Sequence, residues 1–136
     1  MTDVLTTKQR SACMSAIRGK NTKPELAVRS ALHCLGFRYR LHRTDLPGKP
    51  DLVFPSLRKI IFVHGCFWHM HQCRYGRVVP ATRTEFWQEK RKGNVKRDRR
   101  HKAHLRRAGW KVLEVWECWT KNPDRSMARI LEFLQS

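Results

Sequence analysis

Pro50-Asp51-Leu52-Val53-Phe54-Pro55-Ser56-Leu57-Arg58-Lys59-Ile60-Ile61-Phe62-Val63-His64 holds two short apolar runs around a proline-led break, a pattern that predicts two strands joined by a tight return. Asp51 to Phe54 forms the first expected strand and Lys59 to His64 its antiparallel partner. Period-two alternation then puts Ile60, Phe62 and His64 on one face. Upstream, Phe37 to Leu41 alternates as another strand, set off by the turn-rich Leu46-Pro47-Gly48-Lys49-Pro50. Downstream, Trp110 to Trp116 carries apolar Val112, Leu113 and Val115 and predicts a last strand.

Helical patterns surround these strands. Ser11 to Arg18 reads as a short basic helix before a Gly19-Lys20-Asn21 break. Thr22-Lys23-Pro24-Glu25 has the form of a capping box with proline in the first turn, and it leads a helix with apolar Leu26, Ala31, Leu32 and Leu35 that Gly36 ends. Pro80 to Trp87 leads into a strongly basic helical region reaching Ala108, with an expected interruption at Gly93, a new cap at Asn94 and a stop at Gly109. After Asn122-Pro123, an amphipathic helix turns Met127, Ile130, Leu131 and Leu134 toward a core. The order of helix, three strands, helices, strand and helix implies a mixed sheet packed by helices, an α/β domain. Residues 1–136 are expected to form one domain, with 1–20 a basic helical arm.

Twenty-nine Lys and Arg against eleven Asp and Glu give a net charge of +18, and 40% hydrophobic residues suffice for one core. Such a charge opposes the compact state unless an anionic partner relieves it, and nucleic acid is the partner it points to. No run approaches the roughly 18 apolar residues of a spanning helix, and Met1-Thr2-Asp3 has no signal-peptide pattern, so a cytosolic protein is expected. Five cysteines in that compartment are expected as reduced thiols or metal thiolates, with Cys13 and Cys34 as small buried side chains.

The densest chemistry lies in His64-Gly65-Cys66-Phe67-Trp68-His69-Met70-His71-Gln72-Cys73. Cys66, His71 and Cys73 have the spacing of soft metal ligands, and Cys118 follows the last strand, which could bring it beside them. A closed tetrahedral set of three thiolates and one imidazole would be a structural zinc site; the alternative is buried cysteines without a ligand. With His71 on a metal, His64 and His69 remain available beside Asp51. One fixed carboxylate plus a substrate phosphate suffices to anchor magnesium, which keeps several waters.

A Pro-Asp on one strand followed by a second strand resembles the restriction-endonuclease-like nucleases, although Phe62 and His64 occupy the positions of that superfamily's usual acid-x-lysine. That departure, with Pro47 to Asp51, Phe62 to His69, Pro80 to Trp87, Asn94 to Arg100 and Val115 to Cys118, closely resembles the very-short-patch repair endonucleases across nearly the whole chain. The resemblance implies a bacterial endonuclease with a restriction-endonuclease-like mixed sheet and a structural zinc site. It implies an enzyme that recognises a T:G mismatch left by deamination of 5-methylcytosine and nicks 5′ to the thymine, with repair completed by other proteins. By the same resemblance, Asp51 and the main-chain carbonyl of Val63 hold magnesium, His69 activates water, His64 assists at the phosphate and Glu25 orients a water. The family often has threonine at the place of Val63; a backbone ligand survives that change. Glu25 has a competing role as the capping-box carboxylate. Asp98 reads either as an outer acid or as a salt-bridge partner within an arginine-rich helix, and the second is the expectation.

Phe67 and Trp68 stand between the metal ligands, so a metal would stiffen the loop presenting them. Inserted rings unstack base steps at a cost that is smaller at a mismatch. The resemblance assigns this wedge to Phe67, Trp68 and Trp87 and base-edge reading to Lys90 and Asn94. Arg91, Lys92, Lys96, Arg97, Arg99, Arg100, Arg106 and Arg107 read as phosphate contacts or a solvated face; with that many phosphates neutralised, the expected log–log salt slope is about −7. Two other classes share parts of this pattern. A noncatalytic zinc-stabilised nucleic-acid-binding module leaves Asp51 and the spare histidines without a purpose, and a general metal-dependent nuclease shares the catalytic parts without mismatch choice. One asymmetric lesion needs one active site, so a monomer is expected.

Overall fold

A computed structural model describes residues 24–41 and 43–136, with the side chains of Thr120 and Pro123 left aside. The expected arm of residues 1–20, the Ser11–Arg18 helix, Cys13 and the Thr22-Lys23 half of the capping box lie outside the described residues. The elements run α1 (Pro24–Cys34), β1 (Arg40–Leu41), β2 (Leu52–Phe54), β3 (Lys59–His64), α2 (Thr84–Arg107), β4 (Lys111–Trp116) and α3 (Pro123–Gln135). The sheet order is β1-β2-β3-β4, antiparallel across the first two pairings and parallel between β3 and β4. Parallel neighbours need a crossover, and α2 supplies it.

The sheet separates two apolar layers, as strand alternation requires. On one face Leu52, Phe54, Ile61 and Val115 pack with Ala27, Val28, Ala31 and Leu32 of α1 and Met127, Ile130 and Leu134 of α3. On the other, Val53, Ile60 and Phe62 meet Leu105 of α2 and Trp110. The expected face shared by Ile60, Phe62 and His64 is the one that α2 covers, and the Phe62 and His64 rings stack at 5.6 Å. Leu26 faces out; Ala27 and Val28 take its place in the core.

Several expectations need correction. Phe37 to Leu41 pairs only at Arg40 and Leu41, because Phe37 is drawn into the core against the edge of Phe54. Gly36, at φ 93°, does end α1 in the left-handed conformation glycine tolerates. Cys34 is exposed and disulfide-bonded, not a buried thiol. The break expected at Gly93 does not occur: α2 runs unbroken through Gly93 and Asn94 for 24 residues. An interior glycine costs about 1 kcal/mol relative to alanine, which the contacts of Arg91 and Asn94 on either side outweigh.

Lys59 is a buried cation that the sequence reading passed over. Its Nζ donates to the carbonyls of Phe133, Leu134 and Ser136 at 2.7, 2.9 and 2.8 Å, tying the C-terminal end of α3 to the start of β3. These are carbonyls that a helix end leaves without intrahelical partners. No helix among the described residues is long and apolar enough to cross a membrane.

Gly93 lies in helical backbone, and a Cβ there would meet only the flexible end of Arg97, at 3.4 Å. Gly93→Ala is therefore expected to stabilise the fold by about 0.5–1 kcal/mol, read as a raised denaturation midpoint.

Candidate active site and metal centre

The parallel ladder sets His64 opposite Trp116, so Cys66 and Cys118 leave their strands side by side. The chain after β3 then curls back. His71 N–H donates to the Cys66 carbonyl at 3.0 Å and Arg77 N–H to the Cys73 carbonyl at 3.1 Å. Ligand atoms of Cys66, His71, Cys73 and Cys118 all lie within 4.8 Å of one another, and Cys118 Sγ stands 3.6 Å from His71 Nδ1, in the range of the roughly 3.3–3.8 Å edges of a tetrahedron built on zinc bond lengths. Burial, with the Cys73 and Cys118 sulfurs crowding it, pushes the Cys66 thiol up to about 12. Burial also opposes ionisation of Cys73, but hydrogen bonds from Gly76, His71 and Cys66 outweigh it and bring that thiol down to about 6. Soft donors crowded this way fit a divalent cation, which would favour all three thiolates. Gly76 is the local requirement: a Cβ there would stand 1.9 Å from the His71 carbonyl oxygen, and no rotation of a side chain relieves a backbone clash.

A second cluster lies across Trp116. This indole stacks on His71 at 4.1 Å and 15° and also meets the His64 ring at 5.1 Å. His64 stacks on His69 at 4.1 Å, and His69 Nδ1 pairs with Asp98 Oδ2 at 2.5 Å. His64, His69 and Asp98 also converge within 4.8 Å. The two ring planes, however, lie face to face at 28°. In-plane lone pairs of stacked rings do not converge on one ion, so this arrangement suits proton transfer better than metal binding. His64 Nε2 lies 2.9 Å from Glu114 Oε2, too bent for a good hydrogen bond, and Glu114 Oε1 accepts from Lys102 at 2.5 Å. Burial opposes the Glu114 charge, yet His64 and Lys102 outweigh it and hold its carboxyl down to about 2.

The sequence of α2 explains this arrangement. Arg91, Val95, Asp98, Lys102 and Leu105 recur at helical spacing and form the stripe least exposed to solvent. The stripe is polar in its middle because it covers the histidines, not a greasy core. Asp98 is thus corrected from a salt-bridge partner among arginines to the partner of His69. Its signal was available: it is the only acid from Lys90 to Arg107. Glu114, set among Val112, Leu113, Val115 and Trp116, carried a similar one. Between the two clusters opens a cavity of about 280 Å³ lined by His69, Asp98, Arg99, Lys102, Glu114 and Trp116. A larger groove of about 550 Å³ beside Leu113, Arg129 and Phe133 carries none of these groups.

Asp51 and Glu25 belong to neither cluster. Glu25 stands in the first turn of α1. Asp51 reaches the adjoining strand, where its Oδ2 accepts the Val63 N–H at 2.7 Å, one residue from His64. Continuing the Leu52–Ile61 register sets Pro50 opposite Val63. Proline has no N–H to offer the Val63 carbonyl, which faces the same side as its own N–H, so a carboxylate and a backbone oxygen without that ladder bond share one edge. The loop before Asp51 packs tightly on α2. A Cβ on Gly48, at φ 79°, would lie 3.0 Å from His101 Nδ1, one turn beyond Asp98.

The aromatic residues gather at the outer end. Trp68 contacts Phe67 at 5.2 Å and Trp87 at 5.6 Å, and Phe86, which the sequence reading left without a role, extends the row at 5.0 Å from Trp87. Trp68 is 42% exposed and Phe86 47%, so rings stand ready at the surface. Lys90 lies over both Trp68 and Trp87, at 5.7 and 5.6 Å. Asn94, expected as a cap, instead donates from Nδ2 to the Trp68 carbonyl at 2.9 Å. Arg91 is fully buried and leaves the set of phosphate contacts; Lys92, Lys96, Arg97, Arg99, Arg100, Arg106 and Arg107 are exposed.

Residues 2–75 match the family model described as DNA mismatch endonuclease Vsr. The chain is 49% identical over 134 residues to the type II nicking enzyme V.XorIIP of Xanthomonas oryzae pv. oryzae, covering 98% of each. It is 49% identical over 118 residues to the DNA mismatch endonuclease Vsr of Escherichia coli K12, covering 87% of this chain and 75% of that one. It is also 45% identical over 122 residues to the type II nicking enzyme V.NmeAIP of Neisseria meningitidis, covering 90% and 86%.

Two substitutions probe the centres separately. Gly76→Ala should lower the bound metal to the level of Cys118→Ser, measured by elemental analysis of purified protein. Glu114 gives stability that is present above its ordinary pKa of 4.5 and lost as pH falls from there toward about 2. Glu114→Gln is expected to cost about 1–3 kcal/mol at neutral pH, with the difference from wild type shrinking across that acid window in denaturation titrations.

Proposed function

The chain belongs to the Vsr family of DNA mismatch endonucleases, and on that basis we propose that this DNA endonuclease nicks duplex DNA 5′ to the thymine of a T:G pair, with magnesium at the reacting phosphate and zinc in a structural centre. The observation carrying this reading is the Asp51 carboxylate at the Val63 backbone, one residue from a His64–His69 stack that Asp98 anchors. The fold fits a restriction-endonuclease-like core in one domain, with the acid just before β2 and the adjoining backbone on β3.

Asp51 and the Val63 carbonyl are the groups that would hold magnesium. When bound, that ion supplies positive charge to the scissile phosphate and makes water a better acid. Asp98 accepts from Nδ1 of His69 and so leaves Nε2 as the base that takes the proton of the attacking water. Glu114, ionised across the neutral range, sets its negative charge 2.9 Å from Nε2 of His64, on the side of the ring that would face the phosphate's proton chemistry. Glu25 would orient water from the first turn of α1. Cys66, His71, Cys73 and Cys118 would hold zinc and stiffen the loop of Phe67 and Trp68, which with Trp87 enters the stack where the T:G pair weakens it. Lys90 and Asn94 would meet the displaced base edges, and the exposed basic face of α2 would follow phosphates without reading sequence. A monomer acting before other repair proteins fits this chemistry.

End-labelled duplexes with and without a T:G pair, incubated with magnesium, test the reading. Wild type is expected to nick only the duplex holding the T:G pair, on the strand that carries the thymine and 5′ to it. Asp51→Ala should abolish nicking with zinc and DNA binding retained, and Asp98→Asn should lower kcat by about 10²-fold or more. Equal nicking of matched DNA would sink the mismatch assignment, and loss of zinc in Asp51→Ala would make that residue structural.

A further inference from the structure

Arg91 is only 1% exposed and is the largest fully buried side chain among the described residues, on the strongly basic α2. Its guanidinium spends its donors on the other side of the wedge. Nε donates to the Phe67 carbonyl at 2.7 Å, Nη2 to Gly76 at 2.5 Å, and Nη1 to Val78 at 2.8 Å and Gln88 Oε1 at 2.9 Å. The same group lies 4.2 Å from the centre of the Phe67 ring. All four acceptors are neutral, so the charge is desolvated with no carboxylate to offset it among the described residues. Packing alone would be served as well by an apolar side chain. What an apolar side chain cannot do is bridge three carbonyls. They come from both limbs of one loop, Phe67 on the way out and Gly76 and Val78 on the way back.

We propose that Arg91 is a positioning residue for mismatch selection: its planar fork locks the loop of Phe67 and Trp68 to α2, so that the rings push into a base stack without recoiling. The inference rests on the wedge reading of those aromatics. A rigid ring can unstack a step whose own cohesion is weak, as at a mismatch, whereas a loop free to fold back yields before the DNA does. The fork also differs from a lysine ammonium, a point charge that cannot span carbonyls on two limbs at once.

The test compares wild type, Arg91→Lys and Gln88→Ala as zinc-loaded full-length protein, with Phe67→Ala to check the wedge itself. Amide hydrogen exchange of residues 65–79 without DNA reads the hold on the loop. Fluorescence of 2-aminopurine beside a T:G pair reads unstacking, and nicking gives kcat and KM. Arg91→Lys is expected to keep zinc and helical content, exchange the loop at least tenfold faster, and lose at least tenfold in unstacking signal and kcat. KM and the salt-dependent binding of matched duplex should stay within twofold. Gln88→Ala, which removes one acceptor and leaves the carbonyl bridge, should shift the same readouts in the same direction by less. Wild-type unstacking and kcat in Arg91→Lys, or a fall in kcat with no change in loop exchange, overturns the assignment. Where Arg91→Lys does not fold or loses zinc, Gln88→Ala decides, and wild-type exchange and unstacking there overturn it. Wild type giving no signal at T:G, or Phe67→Ala nicking normally, overturns the wedge reading instead, while loop exchange still decides whether Arg91 holds the loop.

Discussion

The parallel pairing of β3 with β4 is the constraint from which the site follows. Its register, Phe62 with Glu114 and His64 with Trp116, brings together residues some fifty positions apart in the chain. Glu114 then lies within reach of His64, Trp116 comes between His64 and His71, and Cys66 and Cys118 leave adjacent strands together. A one-residue slip would turn the side chains of β4 to the opposite face. The histidine cluster and the cysteine–histidine cluster would both come apart, so they share a single structural origin.

The crossover that makes this pairing accessible also completes the chemistry. α2 must cover one face of the sheet, and a helix with so much Lys and Arg has few apolar residues to do it with. It uses Leu105 at the apolar end, Asp98 and Lys102 over the polar middle, and Arg91 beneath the aromatic loop. Each buried charge has partners, and each partner lies on a different segment. Asp98 holds His69, Lys102 holds Glu114, and Arg91 holds the loop after β3. Its outer face keeps the remaining cations in solvent, where they can meet a polyanion.

Much of this was legible in the chain. The strands around Pro50 to His64, the capping glycines at Gly36 and Gly109 and the amphipathic α3 announce themselves through short-range periodicity and turn chemistry. The candidate ligands Cys66, His71, Cys73 and Cys118 and the trio Asp51, His64 and His69 were visible as residue types in an unusual density. Arg91 and Asp98 were misread for a shared reason. On a helix with cations at most positions, nothing local distinguishes the ones that face inward. Gly93 and Asn94 misled differently, since a glycine followed by asparagine is a sound local stop that side-chain contacts override. Cys34 was read as buried from its apolar neighbours, and the helix instead turns it outward.

By itself, the sequence determined the parts: which segments extend, which coil, what donors exist and that the net charge calls for a polyanion. Those properties are local or additive, so they survive without coordinates. Only the tertiary structure decided the partnerships of His69 with Asp98, Glu114 with His64 and Lys102, and Arg91 with three carbonyls. The reason is that burial, which turns a charged residue from a solvated ornament into a positioned group, depends on what lies across the sheet and not on what lies beside it in the chain.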